Sequence, residues 1–435
     1  MGIARIVVAL LVFSAIVIFH ELGHFLLAKK NGVKVIEFSI GMGPRIVSYP
    51  GKETRYSIKA FPVGGSCQML GEDELCNDPS AFVQKGVWAR ISTVAAGPVF
   101  NFILAFVLAL FVIGAAGVDR PYVAKLPTGF PAAEAGLKKG DLITGINGHK
   151  MDISREVDVY FQFHPLEDGQ GIEVTYEREG TEQTAIVTPV PYENYIIGVS
   201  RSADQSAARL AQISKGGPAE KAGLKKGDKI VAINGSAIKT GEEFAKYLRE
   251  HPIGKESLTI QYEREGKIAS TVLTPLATAS LTIGLSYNEA RGGRVTTPFT
   301  VVKYSFVEMK FWIKTVVASL GQLITGKIST NNIAGPLGMF GMIGDSYEQA
   351  ASIGVGYALL QIAYLIILLS ANLGVMNLLP IPGLDGGRLV FLLIEVIRGK
   401  RVNPEKEGFV HMIGFIALML LMAFVFYNDM MRLLH

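Results

Sequence analysis

Four long stretches of this chain carry no Asp, Glu, Lys or Arg, and they limit its fold more tightly than anything else in the sequence. They cover 6–19, 91–118, 349–384 and 408–428. A helix crosses the hydrocarbon core of a bilayer with about 20 mostly apolar residues. The chain therefore reads as a multi-pass α-helical membrane protein with four transmembrane helices, embedded in the lipid bilayer. Composition agrees, with 49% apolar residues, 18% charged residues and a mean hydropathy of +0.33. A net charge of +4 is too small for a phosphate-tracking surface, so nucleic acid is excluded as a partner. Cys67 and Cys76 fit neither a disulfide framework nor a CxxC site. The first apolar run lacks a small-residue cleavage site and leads directly into His20, so it is read as retained.

Basic residues set the orientation. Residues 28–90 hold nine Lys and Arg and residues 386–407 hold five, while the tails offer only Arg5 and Arg432. The positive-inside rule puts both loops in the cytoplasm and the section from about 119 to 350 outside. That section is duplicated. PAAEAGLKKGDLITGING (131–148) recurs as PAEKAGLKKGDKIVAING (218–235), Tyr176-Glu-Arg-Glu-Gly180 as 262–266, and IIGVS (196–200) as TIGLS (282–286), at offsets of 87 and then 86. The A-G-L-x-x-G-D-x-I-x-x-I-N-G run resembles the bacterial PDZ domain over 120–200 and 207–288. Two inserted α+β PDZ domains are expected, serving either as peptide-binding grooves or as a steric filter.

The chemistry concentrates in His20-Glu21-Leu22-Gly23-His24. Positions i and i+4 share a helix face, so both imidazoles can hold one metal with Glu21 beside them. A site of this type takes Zn²⁺ with a third protein ligand, and the adjacent glutamate is placed to act as a general base. The best third ligand is Asp385, in Asn377-Leu-Leu-Pro-Ile-Pro-Gly-Leu-Asp385-Gly-Gly387. Pro380, Pro382 and Gly383 must break the third span there. Spans one and three run in the same direction, which places both motifs near the cytoplasmic side at similar depth. Taken alone, Asp385 also reads as the N-cap of the following helix.

Together these motifs resemble the site-2 protease family of intramembrane zinc metalloproteases, and within it the RseP-type branch with two PDZ domains. HExxH lies in span one, NxxPxPxLDGG ends span three, and the PDZ insertion lies between spans two and three. Gly97-Pro98-Val99-Phe100-Asn101 is similar to the family's GPxxN element, and residues 38–44 and 56–65 are similar to its membrane-re-entrant hairpin. The resemblance implies that His20, His24 and Asp385 bind zinc and that Glu21 is catalytic. It further implies that Asn372 and Asn377 position substrate and that Asn101 supports the site. Interhelical hydrogen bonding is the plainer reading of the three asparagines.

The expected organisation is spans one and two with the hairpin in 1–118, the PDZ pair, an amphipathic interfacial helix over 299–325, and spans three and four in 350–435. Residues 54–63 alternate Tyr56, Ile58 and Ala60, which fits an edge strand able to pair with an unwound substrate. The expected activity is regulated intramembrane proteolysis of single-span membrane proteins, of the anti-sigma-factor or remnant-signal-peptide class, in the bacterial inner membrane. A membrane-anchored PDZ adaptor with a vestigial site and a metal transporter are the rival readings. The first would be expected to lack one of Glu21, His20, His24 and Asp385, and the second explains neither the glutamate nor the repeat.

Overall fold

The computed structural model describes residues 3–72, 76–201, 206–287, 297–326 and 335–434. It divides into two compact units, 1–118 with 293–435, and 119–292. The chain opens with helix α1 (Ile3–Lys30), followed by strands β1 (Val35–Pro50) and β2 (Arg55–Met69) and helix α2 (Val87–Ala116). Among the described residues, four helices are long and apolar enough to cross a membrane: α1, α2 and two helices near the C-terminus.

The second unit holds the duplication. Its first repeat contains β3 (Val123–Lys125), α3 (Pro131–Glu134), β4 (Leu142–Ile146), β5 (His149–Lys150), α4 (Ser154–Phe163), β6 (Ile172–Arg178) and β7 (Thr181–Val187). Strands β8 (Val190–Ile196) and β9 (Val199–Arg201) lead to the second repeat. That repeat contains β10 (Leu210–Ile213), α5 (Pro218–Lys221), β11 (Lys229–Ile233), β12 (Ser236–Ala237), α6 (Gly241–Glu250), β13 (Leu258–Arg264) and β14 (Lys267–Leu273), and it is followed by β15 (Leu276–Thr282) and β16 (Ser286–Tyr287). The main sheets have matching orders, β5-β4-β6-β7 and β12-β11-β13-β14.

The recurring Gly-Asp and Tyr-Glu-Arg-Glu-Gly segments meet in space. Buried Asp141 takes two hydrogen bonds from Arg178 at 2.8 and 2.7 Å, and Asp228 takes two from Arg264, both at 2.7 Å. Each guanidinium also caps the carbonyl of Gly136 or Gly223. Burial works against ionisation of both aspartates, but the arginine and the lysine backbone N–H at 138 or 225 outweigh it and hold both carboxyls below their usual range.

The cores draw boundaries different from those of the sequence repeat. Ile197 packs in the second core with Leu210, Ile230 and Phe244, whereas Ile283 packs in the first with Val123, Ile143 and Val157. Correspondingly, β9 pairs with β10 and β16 pairs with β3, while β8 and β15 pair with each other. The second repeat is thus nested inside the first, with 283–287 completing the first core. Residue 288, the expected end of the second copy, lies outside the described residues.

The remaining helices are α7 (Pro298–Ile324), α8 (Pro336–Ile353), α9 (Val355–Leu378), α10 (Asp385–Arg398) and α11 (Pro404–Leu434). The buried residues of α7 are Tyr304, Ser305, Glu308 and Phe311, and Met309 and Trp312 pack onto a cluster formed by α2 and α9. This helix therefore packs on protein along one stripe, while Phe299, Val302, Phe306, Val317 and Ile324 stay exposed. Helix α8 was not anticipated from the sequence. It packs on α1, where Arg5 bridges Asp345 and Glu348.

Replacing Asp228 by Asn should destabilise segment 119–287 by about 1–3 kcal/mol, because Arg264 loses its charged partner. The folded-state pKa is lowered, so the stability this pair contributes is present above the ordinary aspartate range and lost as pH falls through the lowered value. Urea unfolding of Asp228→Asn and wild type at pH 7 and pH 3 should show the gap narrowing at pH 3.

Candidate metal centre

His20 and His24 lie one turn apart on α1, and both are buried at 7% exposure. They are accommodated because α2 presents Gly97 to them. A Cβ at that position would overlap His24 Nε2 and crowd the His20 ring. Gly23 gives the reciprocal clearance, since a Cβ there would run into the carbonyl of Ala96. Asp385 arrives from the first turn of α10, after the chain has broken at Pro380 and Pro382.

Three potential ligand atoms converge. His20 Nε2 and His24 Nε2 are 3.2 Å apart, and Asp385 Oδ2 lies 3.2 Å from the first and 3.4 Å from the second. With zinc–ligand bonds of about 2.0–2.1 Å at tetrahedral angles, ligand atoms stand about 3.3 Å apart. The observed triangle has that size. Among the described residues, this is the group of His, Cys, Asp and Glu side chains placed to hold a metal ion.

The far sides of the imidazoles fix their tautomers. His24 Nδ1 donates to the Thr93 carbonyl at 2.9 Å, leaving Nε2 with its lone pair toward the site. His20 Nδ1 lies 3.2 Å from Asn101 Nδ2, while Asn101 Oδ1 is buried with no hydrogen-bond partner. Turning that amide over brings Oδ1 to the ring and turns Nδ2 away from it. Oδ1 then accepts from Nδ1–H, and His20 Nε2 is freed as a metal ligand. Asn101 is 0% exposed and sits behind His20. Burial there suits a side chain that orients the imidazole rather than one that touches substrate.

Of the other candidates, Asn377 reaches the edge of the site, with Nδ2 3.5 Å from His20 Nε2. Asn372 is half-buried on α9, and no hydrogen bond joins it to the cluster among the described residues. Five residues apart on a helix, the two asparagines point in different directions. Glu21 is half-buried beside the hairpin, where a Cβ on Gly65 would lie 3.3 Å from its Cγ.

The hairpin corrects one expectation. Strands β1 and β2 bend so that four segments lie in the order 65–69, 35–40, 55–59 and 45–50. Tyr56 pairs with both Phe38 and Tyr49, and Ile58 with both Ile40 and Val47. Their strand is internal and its backbone has no free edge, although both side chains are exposed, at 44% and 52%. The outer segment beside α1 is instead 65–69. Buried Glu37 ties the sheet together, accepting from Arg45 and Ser57, each at 2.6 Å. The Arg45 guanidinium, opposed by burial and helped by Ser57, pulls the Glu37 pKa down to about 2.

The profile of peptidase family M50 matches residues 8–421. This chain belongs to peptidase family M50. It is 34% identical to zinc metalloprotease RasP of Geobacillus kaustophilus, over 97% of each chain. It is 31% identical to the regulator of sigma-W protease RasP of Bacillus subtilis, over the whole of both. With protease RseP of Yersinia pestis it shares 31% identity over 99% of each. As a family M50 member, the chain is a metalloprotease of the site-2 type. The sequence motifs had marked the three converging side chains, while Thr93 and the need for glycine at position 97 emerge only from the packing of α2 on α1.

Gly97→Ala should abolish stoichiometric metal binding while leaving the helices intact. Zinc content by elemental analysis, beside circular dichroism of the same sample, checks both halves. Full zinc occupancy in Gly97→Ala would contradict this arrangement.

Proposed function

We propose that this protein cuts a peptide bond within the transmembrane segment of single-span membrane proteins. The observation that carries the reading is the His20–His24–Asp385 triangle, built on helices long and apolar enough to cross a membrane. Zn²⁺ is the cofactor; His20, His24 and Asp385 would hold it, and it would supply Lewis-acid polarisation of the scissile carbonyl. Glu21 takes a proton from the attacking water and delivers it to the leaving amine. Asn101 and the Thr93 carbonyl hold the two imidazoles in the ligating tautomer.

A peptide bond inside a helix is shielded by its own hydrogen bonds, so the substrate must be unwound and held extended. Segment 65–69 is the sheet edge nearest Glu21, and it suits an added substrate strand. Asn377, at the rim of the ligand cluster, is placed to contact that strand. The nested repeats are read as two PDZ domains that limit access to the site. A cavity of about 460 Å³ lined by 195–200, Phe244 and Leu248 suits an extended peptide. The basic residues of 28–90 and 386–407 support a site toward the cytoplasm of a bacterial inner membrane, with the repeats outside it. Anti-sigma factors or remnant signal peptides are the substrate class, and the sigma-W regulator among the relatives supports the first.

Glu21→Gln should keep its zinc and lose cleavage of a model transmembrane substrate by a factor of roughly 10² or more. Cleavage at the wild-type rate by the zinc-loaded variant would sink the mechanism. Deleting 121–288 and joining the ends with a short linker should broaden cleavage to substrates with intact external domains. Unchanged selectivity, read by gel on trimmed and untrimmed substrates, would remove the gating role.

A further inference from the structure

The turn that delivers Asp385 cannot satisfy its own backbone. Pro380 and Pro382 carry no N–H. Leu379, Ile381 and Leu384 donate locally, to the carbonyls of Met376, Leu379 and Ile381 at 3.1, 2.7 and 3.1 Å. Gly383 N–H has no such partner within the turn. It donates to His411 Nδ1, on α11, at 2.9 Å. That nitrogen must be unprotonated to accept, so the imidazole proton resides on Nε2. The ring of Phe391 from α10 packs on the imidazole at 5.6 Å between centroids.

A second contact lies one turn further along the same face of α11. Gly414 is buried, and a Cβ there would overlap the carbonyl of Pro382. Gly383, at φ +95°, has no room for a side chain either, since Phe415 N and Leu418 Cδ1 would lie 3.1 and 3.3 Å from a Cβ. Positions 411, 414, 415 and 418 form one helical stripe. On the opposite side, a Cβ at Gly386 or Gly387 would overlap the carbonyls of Leu379 and Ile381. The turn is therefore clamped between the first turn of α10 and this stripe. Because α11 is the least buried of the four long apolar helices, general packing does not account for so close an approach.

We infer that His411 is a positioning residue for the metal centre, holding Asp385 in ligating register through Gly383 N–H, and that docking of α11 on the 380–384 turn completes the site. The inference rests on the zinc reading above. It adds a residue that touches neither metal nor substrate and lies 26 positions beyond the ligand it orients.

The test uses the purified full-length chain. Zinc affinity is read by competition with a chromophoric chelator, and deuterium exchange of the peptide spanning Gly383 is read on metal-free protein. His411→Leu should weaken zinc binding roughly 10- to 100-fold and speed exchange at the turn. His411→Asn, whose Oδ1 can replace the acceptor, should restore both to within a few-fold of wild type. Gly414→Ala should weaken zinc binding with His411 present. Wild-type affinity and exchange in His411→Leu would overturn the inference, as would failure of His411→Asn to improve on leucine. If wild type binds no zinc, or Asp385→Asn binds it as wild type does, the zinc reading itself falls and takes the inference with it.

Discussion

Everything in the first unit turns on how closely α2 lies against the two imidazoles of α1. Gly97 has no side chain because His20 and His24 occupy its place, and Gly23 answers with its own clearance toward Ala96. This packing gives two nitrogens 3.2 Å apart in a buried setting, where their lone pairs repel unless a proton or a cation lies between them. The same approach brings Thr93 and Asn101 within reach of the opposite ring edges, where they select the tautomer. One close helix crossing thus fixes ligand spacing, ligand orientation and burial together.

Asp385 is held in a different way. Its turn has too few donors and too many carbonyls to be stable alone, so it borrows its shape from glycine-lined neighbours on α10 and α11. The metal centre therefore combines a rigid half, set by α1 and α2, with a half supported by a lightly packed helix. Glu37 gives the hairpin a comparable brace, since one buried carboxylate holds side chains from Arg45 and Ser57 on separate segments of the sheet.

What the sequence disclosed followed the range of the interactions involved. His20, Glu21 and His24 were legible because a spacing of four residues is enough to place both imidazoles on one helix face. Asp385 was legible because prolines announce where a helix must break. The pairing of Tyr56 and Ile58 was not, since alternation reveals which face a side chain takes and says nothing about which strand edge stays open. That depends on the bends at Gly41 and Gly43, both at positive φ, which fold β1 back across β2. The repeat boundaries failed for a related reason. An 87-residue periodicity is unchanged by sliding the frame, so it cannot assign IIGVS to the core before it or the core after it. His411 gave no local signal, because its partner is a backbone N–H far away in the chain.

The nesting of one repeat in the other has a consequence in time as well as in space. Ile283, which closes the first hydrophobic core beside Val123 and Ile143, leaves the ribosome after the whole second repeat has been made. The second core, complete once Leu273 has emerged, is ready earlier although it lies later in the chain. Synthesis at about 5–20 residues per second separates the two by seconds at most, yet the order is fixed by topology. The inner repeat can close on its own, and the outer one must remain open until the chain has passed back to it.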